Sequence, residues 1–202
     1  MGSIKLPHAT GSGSMSIGSP TTDPSGDLEL KLPATIGTAG EVVQNSTTAG
    51  TLEMGSPFRP AFSAYCSSDF DIATGTDVKA LFQTELFDTD SAYNTSTSTF
   101  TVPANMGGAY QVNAQVAIDD IDTGKSLKIR LFIDGSFVTN FRQSRSYPSA
   151  ADKVVSALYT NIIELTAGQT VNIYMQHDNG NTQSSEAKEC WFSMFRLGGV
   201  AT

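Results

Sequence analysis

From Phe58 onward apolar and polar residues alternate in short runs. Ala61-Phe62-Ser63-Ala64-Tyr65-Cys66, Tyr110-Gln111-Val112-Asn113-Ala114-Gln115-Val116, Leu127 to Ile133, Phe137 to Phe141, Ile162-Ile163-Glu164-Leu165 and Val171-Asn172-Ile173-Tyr174-Met175 are strand-like. Side chains on a strand point alternately to its two faces, so such runs predict half-buried strands. Turn chemistry separates them. Asp134-Gly135 between two apolar runs is a hairpin signal, and Asp178-Asn179-Gly180-Asn181 marks another turn. Asp77 to Leu86 also accommodates a helix, with Phe82 and Leu86 four residues apart, and is read here as strand. Many short strands with polar punctuation predict an all-β sandwich or jelly roll rather than βαβ units.

The N-terminal segment is patterned differently. Residues 1–57 contain no Phe, Tyr or Trp, and the first aromatic, Phe58, follows Gly55-Ser56-Pro57. A segment without large apolar side chains cannot offset its ordering entropy with a core of its own, so it is a flexible arm or is ordered by other chains. The boundary is placed there, giving an arm, 1–57, and a knob, 58–202. Within the arm, Asp27 to Leu32 puts Leu28, Leu30 and Leu32 on one face of a strand that Pro33 ends. Val42 and Val43, and then Leu52, mark two more short strands around the polar turn 45–50. A two-stranded ribbon is marginal in water, so these strands need partners.

Composition narrows the function. The 202 residues carry 12 Lys+Arg and 20 Asp+Glu, a net charge of 12 − 20 = −8. The arm contributes 2 − 5 = −3 and the knob 10 − 15 = −5. That balance opposes nucleic-acid binding, which depends on clustered bases releasing counterions. Apolar runs such as Ile129-Arg130-Leu131-Phe132-Ile133 are strand-sized and interrupted by charge, so no membrane insertion is expected. The opening Met1-Gly2-Ser3-Ile4-Lys5-Leu6-Pro7-His8 lacks a signal peptide's apolar run. The two cysteines, Cys66 and Cys190, form no CxxC site; they are read as two reduced thiols or as one bridge between the first and last strands of the knob.

Catalytic chemistry finds no foothold. His8 lies in the arm and His177 at a strand end beside Asp178, neither with a nucleophile at a diagnostic spacing. Gly124-Lys125-Ser126 imitates the end of a phosphate-binding loop, but Asp119 stands where that loop's leading Gly belongs. Asp119, Asp120 and Asp122 form the densest acidic cluster and are calcium candidates, although they lack alternating ligand spacing and a distant Glu. No catalytic residue and no cofactor are expected.

Two resemblances complete this reading. Leu32-Pro33-Ala34-Thr35-Ile36-Gly37-Thr38-Ala39-Gly40-Glu41-Val42-Val43, continuing to Gly50-Thr51-Leu52-Glu53-Met54-Gly55, resembles a segment recurrent in bacteriophage tail-fibre and other trimeric fibre proteins. Gly2 to Gly11 is similar to the opening of phage virion proteins. The knob resembles the C1q/tumour-necrosis-factor-like family. It carries Phe82, Asp88, Tyr93 and Phe100, with five, four and six residues between them, and then Gly108-Ala109-Tyr110 after a longer turn. Pro60 to Ala64, Ile163 to Val171 and Trp191 to Leu197 extend the likeness.

The resemblance implies a ten-stranded jelly roll assembled as a homotrimer, with its first and last strands adjacent, which would bring Cys66 near Cys190. The family's collagen stalk is absent, and the arm stands in its place. Tyr110, Trp191, Phe192 and Phe195 become candidates for the trimer interface. The expected function is a non-enzymatic bacteriophage structural protein, localised to the virion. Its arm would attach to other virion proteins and its knob would meet a host-surface glycan or protein or cap a fibre. The alternative is a secreted or surface-displayed recognition module, a lectin or adhesin, which fits the sequons at Asn45 and Asn94. A fibre-borne glycan hydrolase is the third reading, and it would need two carboxyl groups facing across a cleft.

Overall fold

The computed structural model describes residues 3–7, 14–18, 31–38, 41–45, 51–55, 59–119, 121–144 and 154–198. The chain divides into two compact units, Met1–Met54 and Gly55–Thr202. In the first, β1 (Ser3–Pro7) and β2 (Ser14–Gly18) pair antiparallel, two strands that the polar pattern had not announced. A second pair joins β3 (Val42–Asn45) to β4 (Leu52–Gly55). Val42 and Val43 therefore lie on β3, both exposed, and Leu52 lies on β4, half-buried. Gly37 adopts φ +78°, and a Cβ there would come within 2.9 Å of the Met54 Cβ, so a side chain is excluded on both counts.

Of the strand predicted over Asp27 to Leu32, the structure describes only Lys31 and Leu32. Leu28 and Leu30 lie outside the described residues. Lys31 makes a single bridge to Thr51, and Leu32, 75% exposed, belongs to no strand. Pro33 has no N–H to carry a ladder further.

The second unit comprises β5 (Ala61–Tyr65), β6 (Asp71–Ile72), β7 (Val78–Lys79), β8 (Thr84–Asp88), β9 (Tyr93–Asn94), β10 (Thr99–Thr101), β11 (Gly108–Ile118), β12 (Ser126–Ile133), β13 (Ser136–Ser144), β14 (Val155–Leu165), β15 (Thr170–His177), β16 (Gln183–Ser184) and β17 (Trp191–Gly198). Five form one sheet in the order β14-β11-β17-β5-β8, here the β11 sheet. The other, the β12 sheet, runs β13-β12-β15-β10-β9, with β7 added on β15. All the pairings are antiparallel and no helix occurs among the described residues. The eleven strands of these two sheets form a jelly roll, and β5, the first, lies beside β17, the last.

Alternation builds the core. Val112, Ala114 and Val116 on β11, Ile129 and Leu131 on β12, and Val171, Ile173 and Met175 on β15 are fully buried between the sheets. Aromatic rings knit the β5 end: Phe62 stacks on Tyr93 at 4.4 Å and on Phe100 at 5.2 Å, and meets Phe192 edge-on at 4.9 Å. The Asp134-Gly135 hairpin forms as its sequence predicts, both residues having positive φ, 50° and 73°. The Asp134 carboxylate accepts the backbone N–H of Thr170 and the amide of Gln169, tying the turn to β15 and holding that carboxyl below its usual pKa.

Candidate functional site

Strand register sorts the aromatic candidates between two faces. Tyr110 and Phe192 point into the sandwich with no exposed surface, and the Tyr110 hydroxyl donates to the Met106 carbonyl at 2.5 Å. Burial, with Asp90 nearby, raises the Tyr110 pKa against the opposing pull of Arg196. An interface role for Tyr110 and Phe192 is therefore corrected: both belong to the protomer's own core. Trp191 and Phe195, at the alternate positions, stand half-buried on the opposite face.

That opposite face, the side of the β11 sheet turned away from the core, carries three successive cross-strand rows, beyond which Ala109 stands opposite the exposed Glu164. The first runs Leu158, Gln115, Trp191, Tyr65, Thr84. The second runs Thr160, Asn113, Ser193, Ser63, Phe87, and the third Ile162, Gln111, Phe195, Ala61. No charged residue stands in any row. The amides are already arranged. Gln111 donates to Asn113 at 3.1 Å and to Thr160 at 2.9 Å, Thr160 donates to Asn113 at 2.8 Å, and Gln115 donates to the Glu189 carbonyl at 2.8 Å. At the margins Leu158, Ile162 and Phe87 are 48%, 57% and 51% exposed. Along β14 a groove of about 530 Å³ runs between Gln115, Leu158 and Thr160 on one side and Asn140 and Phe141 of β13 on the other.

Such a face suits association. Covering Asn, Gln and Thr whose bonds are already made costs far less than covering an ion, and the flanking apolar surface drives contact. The sequence named Trp191 and Phe195 only together with Tyr110 and Phe192, and both their separation and the uncharged rows emerge once β14, β11, β17 and β5 are aligned.

The remaining candidates are dispersed. Asp120 and His8 lie outside the described residues. Asp119 is half-buried, its N–H bonded to the Ser184 carbonyl; Asp122 is exposed, its N–H bonded to the Asn179 side chain. Among the described residues no three His, Cys, Asp or Glu side chains converge on a point where a metal would sit. Beside Asp119, hydrogen bonding to that carboxyl and its charge raise the Glu186 pKa.

His177 is buried. Its Nδ1 accepts the Asn179 N–H at 3.3 Å, so Nε2 donates to the Ile72 carbonyl at 2.8 Å, a structural tie at the end of β15. Cys66 and Cys190 are buried free thiols on the paired strand ends, where the Cys66 N–H donates to the Cys190 carbonyl. The Cys66 thiol donates to the Ser68 carbonyl, while the Cys190 sulfur accepts the Ala117 N–H. Burial pushes both thiols up, Cys190 to about 12, so neither is a nucleophile near neutrality.

Comparison with known proteins agrees with this architecture. The family model for the C1q domain matches residues 61–197. Among solved structures, the Eiger TNF from S. frugiperda superposes with a TM-score of 0.52 at 14% identity, covering 72% of this chain and 96% of that one. The globular domain of zebrafish complement 1qA gives a TM-score of 0.46 at 19% identity, covering 69% of this chain and 98% of that one. No curated protein sequence matches the chain.

Proposed function

The chain belongs to the C1q domain family, and from that membership together with the arm's likeness to phage fibre segments we propose a homotrimeric recognition protein of a bacteriophage virion, with an attaching arm and a displayed knob. The observation that carries the trimer is the set of uncharged rows on the β11 sheet. Copies meeting there bury Trp191, Phe195, Tyr65 and Leu158 without desolvating a single ion in those rows. Three knobs held together turn weak single contacts into avidity at a host surface. Recognition, not catalysis, is the work, and it needs no cofactor.

The virion assignment rests on the similarity of residues 32–55 to phage fibre segments and on an arm without aromatics. Strands in an arm of that composition gain stability from symmetry mates or from a socket on the particle.

Analytical ultracentrifugation at micromolar concentration tests the trimer, and a monomer there would sink it. Deletion of residues 1–57 tests the arm. The proposal requires a folded knob that no longer enters particles, whereas normal incorporation would remove the attachment role.

A further inference from the structure

The β12 sheet presents a different outward surface. Alternation sends Leu127, Ile129 and Leu131 of β12 and Val171, Ile173 and Met175 of β15 into the core. It leaves Lys128, Arg130 and Phe132 outside, beside Asn172, Tyr174 and Gln176. On the flanks, register places Arg142, Asn140 and Phe137 of β13 opposite Lys128, Arg130 and Phe132, and Lys79 of β7 opposite Tyr174. Lys79, Lys128 and Arg130 thus share one sheet face in a chain of net charge −8, and β7, β12, β13 and β15 contain no acidic residue.

Three aromatic rings lie among these bases. Phe132 and Tyr174 are 4.2 Å apart between ring centres, and Phe137 lies 5.9 Å from Phe132. The Arg130 guanidinium sits over the Phe137 ring at 4.2 Å and pairs with Asp77, while its Nε–H has no acceptor. Polar neighbours are fixed in place. Lys128 donates to Gln176 at 2.8 Å, Gln176 donates to Asp77 at 3.2 Å, and Lys79 donates to the Thr97 carbonyl at 2.8 Å. Outward positions of a sandwich are ordinarily polar, so a grouped set of aromatics there is a binding feature.

We propose that this face binds an anionic polysaccharide, its sugar rings packed on Tyr174, Phe132 and Phe137 and its carboxylates met by the bases of β12 and β7. This deepens the recognition reading and rests on it, since trimerisation through the β11 sheet leaves the β12 sheet free. A sugar ring has an apolar C–H face that suits the negative face of an aromatic ring, and a rim of hydroxyls that suits Gln176 and Asn140. Local charge complementarity selects the acidic class. A nucleic acid would also stack on aromatics, but its denser charge meets the repulsion of the whole acidic chain.

The test is surface plasmon resonance of the full chain on hyaluronate, polygalacturonate and polysialic acid, with dextran and oligothymidylate as references, at roughly 50 and 500 mM salt. Binding to at least one acidic polysaccharide, none to dextran and loss at high salt is expected. Lys128→Glu and Tyr174→Ala should each weaken it about tenfold, with Lys128→Glu leaving the melting midpoint unchanged. The proposal is overturned if no acidic polysaccharide binds, if oligothymidylate binds as well, or if Lys128→Glu changes nothing. Host-cell adhesion by the wild type that persists undiminished in Lys128→Glu sinks this site and leaves the recognition reading standing. Absence of any adhesion, with polysaccharide binding intact, sinks the host-recognition reading instead.

Discussion

The β11 and β12 sheets share one core but carry opposite outward faces. On the β11 sheet the three rows from β14 to β8 combine Trp191, Phe195 and Tyr65 with bonded amides and hold no charge. On the β12 sheet, bases and aromatics alternate with polar side chains tied to Asp77, Thr97 and Gln176. An ion is cheap to keep in water and expensive to cover, so a surface destined for permanent burial loses its charges while one that meets a soluble ligand keeps them. On the reading proposed above, copies meet on one face and a ligand on the other.

The largest expected effect is a charge placed in the uncharged rows. Asn113→Asp preserves the acceptor that Gln111 and Thr160 use, exchanges the amide NH2 for a second oxygen and, in the proposed trimer, adds its charge three times over. An uncompensated buried charge costs about 3–5 kcal/mol, enough to turn the trimer into monomer by sedimentation. Lys128→Glu on the other sheet should leave the mass unchanged, and dissociation of both variants would erase the distinction between the faces.

Next comes the shared core. Phe192→Ala empties a ring that touches Phe62, Phe82 and Tyr93 and should cost about 3–5 kcal/mol, read as a fall in the knob's melting temperature. Trp191→Ala, one residue along, should instead weaken association more than it lowers the stability of the isolated protomer. Reversal of that order would exchange the inward and outward assignments.

Thiol labelling gives a sharper but smaller readout. Iodoacetamide at pH 8 should modify Cys190 only in denaturant, because burial holds that thiol near 12; fast labelling of the native protein would show a sandwich that opens at this end.

Acid gives the smallest effect. Burial pushes the Asp90 carboxyl up, but hydrogen bonds from Arg59 and Thr89 and the Arg59 charge more than reverse this, so it titrates below its ordinary value. A carboxyl whose pKa is lower folded than unfolded stabilises the fold above the unfolded value, about 3.9, and loses that contribution as pH falls through the folded one. Stability should therefore drop below about pH 4, and Asp90→Asn should reduce this slope more than Asp134→Asn, whose carboxylate is exposed. Equal slopes in a urea-melt series would place the sensitivity elsewhere.

Much of the fold was legible because alternation is a local property. Tyr110 to Val116 and Val171 to Met175 read as strands and are strands, and Asp134-Gly135 reads as the hairpin it forms. Which aromatics face outward was not legible. Tyr110 and Phe192 look like Trp191 and Phe195 until register against β5 and β14 fixes the parity of β11 and β17. The arm was harder still: Leu32 continues an alternating pattern, yet Pro33 ends the pairing at Lys31.

By itself the sequence determined an all-β knob with a large apolar core and an arm too poor in aromatics to build one, because burial period and composition are carried by neighbouring residues. The tertiary structure decided which strands became neighbours. Lys79, Lys128 and Tyr174 are far apart along the chain, as are Asn113, Thr160 and Ser193, and only antiparallel pairing across long loops brings each set together. Charge or its absence over a surface belongs to the sheet, not to any strand.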